Sequence, residues 1–322
     1  TAGQFDFTAG GVLAGLGLLR RHGRLLGLLL LLAPGVQAAE IAVTTDDTRG
    51  LQDNRNNGDG ICTLREAVFS SRDDTINREP ACADGADGRD TIILPRGCIT
   101  LDYQTFGPLQ VEDPLTIRGQ GPHGVDAAQG LDGSECSPNQ DTNSDWTEGT
   151  IVRAADSPGT ADMRIFENDD ALTLADLSLM YGNSAGNGGA VRASGNLTLQ
   201  RVEFYQNQAD GNGGAVYLVG VAGDEQSMNV RRGYFLGNSA GDNGGAIGMA
   251  ATAYEDLEII DSSFENNDAG AVGGGLNFAM TRGVAWVVNA TIAGNTAAQG
   301  AGGVDLQEVA EDPTDSSEIG RA

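Results

Sequence analysis

The sequence contains no lysine: its 19 basic side chains are all arginine, set against 45 acidic ones, for a formal charge of −26. A surface of that sign repels phosphate backbones and anionic lipid, which argues against nucleic acid as a partner and for solubility. Life in salt and a GC-rich genome both produce such a composition, and both readings stay open. Aromatic residues make up 5% and prolines number 9, so neither a collagen pattern nor a Pro-rich disordered chain fits. The two histidines, His22 and His123, offer no His-based catalytic constellation, and neither G-x-S-x-G nor H-E-x-x-H occurs. Past residue 38 no apolar run approaches the ~20 residues that span a bilayer.

What is abundant is glycine, 48 residues, and with so few rings it predicts tight turns around thin layers of small apolar side chains. Ahead of that body, Arg20, Arg21, His22 and Arg24 precede the apolar run Leu25–Leu32, then Pro34-Gly35 and Val36-Gln37-Ala38. Basic, apolar and small, in that order, is the pattern of a secretory leader, and cleavage is expected after Ala38 or Ala39. A short buried helix is the plainer alternative. The sequence begins at Thr1 and its first methionine is Met163, which reads as a fragment or a mistaken gene start. In an exported chain the four cysteines, Cys62, Cys82, Cys98 and Cys136, suggest two disulfides with three connectivities. The expectation is Cys62–Cys82 with Cys98–Cys136, against free buried thiols.

Five segments align: MYGNSAGNGGAV from Met180, FYQNQADGNGGAV from Phe204, FLGNSAGDNGGAI from Phe235, FENNDAGAVGGGL from Phe264 and IAGNTAAQGAGGV from Ile292. Their shared asparagines, Asn183, Asn207, Asn238, Asn267 and Asn295, lie 24, 31, 29 and 28 residues apart. A fixed period of this size is one turn of a coil. Short alternating runs precede the anchors (Leu197-Thr198-Leu199, Met228-Asn229-Val230, Leu257-Glu258-Ile259, Ala285-Trp286-Val287), and further strands are expected to begin at Val191, Val216, Ile247, Leu276 and Val304. Such strands are too short to bury a core alone, but stacked coil on coil they pair in parallel. Parallel connections are overwhelmingly right-handed. The predicted fold is therefore all-β, a right-handed parallel β-helix, with a ladder of the five asparagines at a bend and an interior column of Phe204, Phe235 and Phe264 flanked by Met180 and Ile292.

The F-x-x-N and GGA(I/V) repeat resembles that of the polymorphic outer-membrane proteins. Gly58-Asp59-Gly60-Ile61-Cys62-Thr63-Leu64-Arg65-Glu66-Ala67 resembles the motif of the CSLREA domain family, with Thr63 in place of serine. Asp90-Thr91-Ile92-Ile93-Leu94-Pro95 and Leu115-Thr116-Ile117-Arg118-Gly119 are similar to that family's entry into its β-helix. The resemblance covers roughly residues 41–308, and it implies a bacterial outer-membrane or extracellular location. The expected organisation is a leader over 1–38, a capping region over 39–115, and β-helix repeats over 116–322 that continue beyond. Thr63 with Glu66 three residues on predicts a short capped helix within the capping region.

A lyase or hydrolase on this fold would need carboxylates and a base gathered on one outer face. Counting back three from each anchor gives Arg201, Arg232, Asp261 and Asn289; counting back six gives Thr198, Asn229, Glu258 and Trp286. Arg232, Glu258 and Asp261 are the best catalytic candidates, although opposite charges on neighbouring coils are more simply a salt-bridged face. The stretch Asp53–Gly60 resembles a calcium loop but has Arg55 at a ligand position and Leu64 where the closing glutamate belongs. Asn196-Leu197-Thr198 and Asn289-Ala290-Thr291 match a glycosylation pattern in expected strand or ladder positions. The reading that results is a non-enzymatic exported surface protein, adhesin-like or a scaffold, contacting glycans or surface proteins and using no cofactor or metal. A polysaccharide lyase or glycoside hydrolase is the alternative.

Overall fold

The computed structural model describes residues 39–43, 61–72, 82–85, 88–101, 106–122, 149–220, 226–249, 254–280 and 284–308. Within them the chain winds into a parallel β-solenoid of about six turns, with a single short helix near the N-terminus. The strands stack as sheets of 13, 7 and 5 members, and each repeat unit sends one long strand or two shorter ones to the largest sheet and one strand to each of the others. Leu197–Tyr205 of the largest sheet pairs in parallel with Leu172–Met180 on one side and with Gln226–Arg231 and Tyr234–Leu236 on the other. The second strands begin at Val191, Val216, Ile247, Leu276 and Val304, as the sequence predicts. An isolated bridge between Met163 and Asn183 runs antiparallel.

Three columns of left-handed backbone mark the corners of the coil. Asp176, Arg201, Arg232, Asp261 and Asn289 form the first, with φ between 52° and 58°. Tyr181, Gln206, Gly237, Asn266 and Gly294 form the second. The third, Gly188, Gly213, Gly244 and Gly273, is purely glycine for a steric reason: a Cβ on Gly213 would lie 2.2 Å from the Val216 carbonyl oxygen. The next glycine answers to a different constraint. A Cβ on Gly214 would lie 2.2 Å from the carbonyl oxygen of Gly245 in the following coil, so the pair of glycines combines a turn with close stacking.

Inside, Phe204, Phe235 and Phe264 stack with centroids 4.7 and 4.6 Å apart and planes within 3° and 9° of parallel. Removing each ring from water contributes about 1.5–3 kcal/mol. Ile292 continues the column after Phe264. At the other end the expectation of Met180 is corrected: Leu179 stands opposite Phe204, while Met180 stands opposite Tyr205 and packs in a separate cluster with Cys98, Ile151, Tyr181 and Leu236. The whole register of that coil is one residue earlier than the Phe-x-x-Asn motif indicates.

The helix, Leu64–Ser70, starts at the residue where the motif places it. The Thr63 side chain accepts from the Glu66 N–H at 3.3 Å, and the Glu66 carboxylate accepts from the Thr63 N–H at 2.9 Å, satisfying two donors that a helix start otherwise leaves open. Leu64, Ala67 and Val68 join Leu109 and Val111 in the solenoid's own core. The Cys62–Cys82 disulfide fastens the residue before the cap. Cys136, His123, the leader and Asp53–Gly60 lie outside the described residues.

Candidate interaction surface

The asparagine column is satisfied throughout from Asn207 to Asn267. Asn238 Nδ2 donates to Asn267 Oδ1 at 2.9 Å and to the Phe204 carbonyl at 3.0 Å, and its Oδ1 accepts from the N–H and Nδ2 of Asn207, each at 3.0 Å. Asn267 repeats the arrangement with Asn295 and the Phe235 carbonyl. Asn207 closes the ladder on the other side, where its Oδ1 accepts from the Gly182 N–H at 2.9 Å. Asn183 is therefore not a rung. It stands opposite Gln208 and its Nδ2 donates to the Ala161 carbonyl at 2.6 Å, because Gly182 occupies the ladder position.

A second ladder runs the other way and was not foreseen. Asn212 donates through both N–H and Nδ2 to Asn187 Oδ1, at 2.8 and 3.1 Å, and Asn243 does the same to Asn212 Oδ1. An asparagine directly before each of three glycine pairs was its signal in the sequence. The column ends where Val272 replaces asparagine; the Val272 N–H still donates to Asn243 Oδ1 at 3.3 Å.

On the outer side of the largest sheet the side chains that alternate with the core form a continuous row. Thr91, Thr116, Thr173 and Thr198 stand opposite one another in successive coils, followed by Asn229, Glu258 and Trp286. All but Trp286 are half-buried, and Trp286 is exposed. At the strand spacing of ~4.8 Å the row is roughly 29 Å long. Arg89 Nη1 donates to Thr173 Oγ1 at 3.0 Å, and Arg231 Nη2 pairs with Glu258 at 2.7 Å.

The suggested trio is not brought together. Glu258 is engaged by Arg231 and not by Arg232, Asp261 accepts from Asn289 Nδ2 at 2.6 Å, and Arg232 is exposed without an ion pair among the described residues. All three of Arg232, Asp261 and Asn289 are corner residues, whose backbone turns them away from the strand row carrying Glu258. In the same column Arg201 grips Asp176 through Nε and Nη2, the latter at 2.7 Å. That hydrogen bond, aided by the carboxylate's charge and opposed by partial desolvation, raises the Arg201 pKa above its ordinary value. Asn196 and Asn289, expected in strand or ladder positions, are both exposed and outside the strands.

The residues flanking each anchor were missed by the sequence reading. Glu203 and Tyr205, Tyr234 and Leu236, and Ser263 and Glu265 alternate with the phenylalanines and so lie on the opposite side of the sheet, where Glu203, Tyr205 and Leu236 are themselves buried, the last two in the cluster that holds Met180. Ser178 Oγ donates to Glu203 Oε2 at 2.8 Å, and Ser263 Oγ to Glu265 Oε1 at 2.7 Å. Apolar residues on both sides of an anchor, as in Tyr234-Phe235-Leu236, break the alternation and were the available signal. On the seven-stranded sheet Glu167 is held between Arg164 and Arg192. Among the described residues, no group of three or more His, Cys, Asp and Glu comes together as a metal site, and no helix is long and apolar enough to cross a membrane.

Residues 201–218, which run from the first corner through the anchor, ladder asparagine and glycine pair into the next strand, match the Chlamydia polymorphic membrane protein (Chlamydia_PMP) repeat. No curated protein and no solved structure matches the chain. The matched family is one of surface proteins, and the matched residues form part of one turn of the β-solenoid.

Proposed function

We propose that the chain is an exported, surface-associated or secreted scaffold that binds linear glycans along the outer face of its largest sheet and carries out no catalysis. The observation that carries this reading is the in-register row Thr91, Thr116, Thr173, Thr198, Asn229 and Glu258. A polymer that repeats hydroxyl-bearing units along its length can hydrogen-bond to a row that repeats hydroxyl, amide and carboxylate groups along its own. The net charge of −26 favours neutral over anionic polysaccharides. The basic-apolar-small leader and the CSLREA-like Cys62–Ala67 segment support export, and the match over 201–218 supports a surface location.

Binding of the intact chain to a panel of neutral and acidic polysaccharides, by calorimetry and by release of reducing ends or unsaturated products, tests both halves. Thr173→Val with Thr198→Val is expected to weaken binding about tenfold, since two lost hydrogen bonds at roughly 0.7 kcal/mol each make 1.4 kcal/mol. Binding indifferent to the double variant would refute the row as the site. Product release abolished by Asp261→Ala would establish the enzyme instead.

A further inference from the structure

The strand Glu40–Ala42 pairs in parallel with Asp90–Ile93 in the largest sheet. The residue before it is tied at both of its backbone groups: the Ala39 N–H donates to Asp90 Oδ1 at 2.8 Å, and the Ala39 carbonyl accepts from the Thr91 N–H at 2.9 Å. Asp90 is an unexpected residue for its place. It stands opposite Leu115, and Leu172 and Leu197 continue that inward column; like those leucines it is buried, at 0% exposure. A carboxylate withdrawn from water is costly unless hydrogen bonds and opposite charge compensate it, and a peptide N–H carries no net charge. Ala39 itself is half-buried, so a cation at its nitrogen would keep contact with water as well as with Asp90.

The sequence supplies a way to put a cation there. Val36-Gln37-Ala38 closes the leader pattern, with small residues first and third before the Ala38–Ala39 bond, as leader cleavage requires. A cut one bond later would set Gln37 at the outer of those two positions and would discard the Ala39 groups that engage Asp90 and Thr91. Resting on the export reading above, we infer that a leader peptidase cuts between Ala38 and Ala39, and that the α-ammonium so formed pairs with the buried Asp90 carboxylate and locks the first strand onto the solenoid. In that hydrolysis water adds to the Ala38 carbonyl carbon and the C–N bond breaks; Ala38 leaves as a carboxylate and the Ala39 nitrogen takes up the protons that make it an ammonium. The uncut chain offers Asp90 a neutral amide at the same position, whereas the cut chain offers a charge-assisted hydrogen bond, about twice as strong. The latch therefore closes with processing.

Because the chain has no lysine, its α-amino group is its one primary amine, and acetylation by an N-hydroxysuccinimide ester reports on it alone. The full chain, behind an initiator methionine, is expressed in an exporting bacterium; its N-terminus is read by intact mass, and its acetylation rate is compared in buffer and in urea. The expected product begins at Ala39 and is acetylated about tenfold or more slowly when folded at about pH 7, because a carboxylate within hydrogen-bond reach holds the amine protonated. Protein acetylated in urea and refolded carries an amide at Ala39, as the uncut chain does, and is expected to melt lower than the unmodified protein. Asp90→Asn, where its far-UV spectrum matches the parent, is expected to be acetylated at the unfolded rate. An exported protein that begins at another residue, an Ala39 amine acetylated equally fast folded and unfolded, a melting midpoint indifferent to acetylation, or slow acetylation that persists in Asp90→Asn overturns the inference and leaves the export reading standing. A chain retained in the cell with residues 1–38 attached overturns both.

Discussion

Asn238 is the position at which the solenoid's internal bonding can be weighed most directly. Its side chain is fully buried and makes four hydrogen bonds, accepting two from Asn207 and donating one each to Phe204 and Asn267. Asn238→Ala removes all four and strands the Asn207 N–H and the Phe204 carbonyl away from water. At a net of about 1 kcal/mol per bond, the loss is roughly 4 kcal/mol, within a range of 3–5. Asn183→Ala is the control that separates motif from structure, because the sequence gives both residues the same place after an anchor. Asn183 is half-buried and makes one side-chain hydrogen bond, to Ala161, so its replacement is expected to cost about 1 kcal/mol or less. The assay is urea unfolding followed by far-UV circular dichroism on the two variants and the parent. Stacked coils stabilise their neighbours, so a mid-ladder loss should lower the midpoint of the whole transition. A cost for Asn238→Ala below about 1 kcal/mol, or one no larger than that of Asn183→Ala, would refute the ladder as a principal support of the stack.

Two further outcomes follow from the backbone and from burial. Gly214→Ala drives a methyl against the Gly245 and Ser239 carbonyls of the next coil and is expected to destabilise by upward of about 3 kcal/mol, whereas Gly237→Ala, with nothing nearer than 3.6 Å, carries only the left-handed strain of about 1–2 kcal/mol; equal melting shifts for the two would contradict the close stacking. Burial pushes the Tyr217 hydroxyl pKa above its ordinary value of 10.0, with the Arg192 charge opposing, so the stability tied to its neutral form is complete below pH 10 and lost as pH rises through the raised folded value. Absorbance at the tyrosinate band, compared between parent and Tyr217→Phe, should show one tyrosine titrating late, and an unchanged alkaline limb in the variant would count against it.

Much of the architecture could be read from residues whose effect is local. The capping box needs only Thr63 and Glu66 on one turn, and the start of each second strand follows directly from the glycine pair that turns the chain into it. The interior phenylalanines announced themselves because a large ring recurring once per coil has one place to go. The candidate surface was legible only in part: Thr198, Asn229, Glu258 and Trp286 were correctly placed in one column, but Thr173 lies one residue off the count from Met180 because Leu179 is the true anchor of its coil, and Thr116 and Thr91 belong to coils that lack the asparagine motif. The spacing also contained a conflict. Asn187 and Asn212 are 25 apart, while Asn183 and Asn207 are 24 apart, and both cannot be in register.

By itself, then, the chain's sequence determined that it would coil, where it would turn and which side chains would face inward, because period, glycine and alternation act over a few residues. Only the stacked structure decided register and partners. Hydrogen bonds along an entire coil align Gly182, not Asn183, with Asn207, since shifting one asparagine into the ladder would move every strand residue of that coil to the wrong face. The same alignment gives Glu258 to Arg231 and holds Asp261 and Arg232 at corners, a choice made by backbone geometry between coils that no single repeat contains.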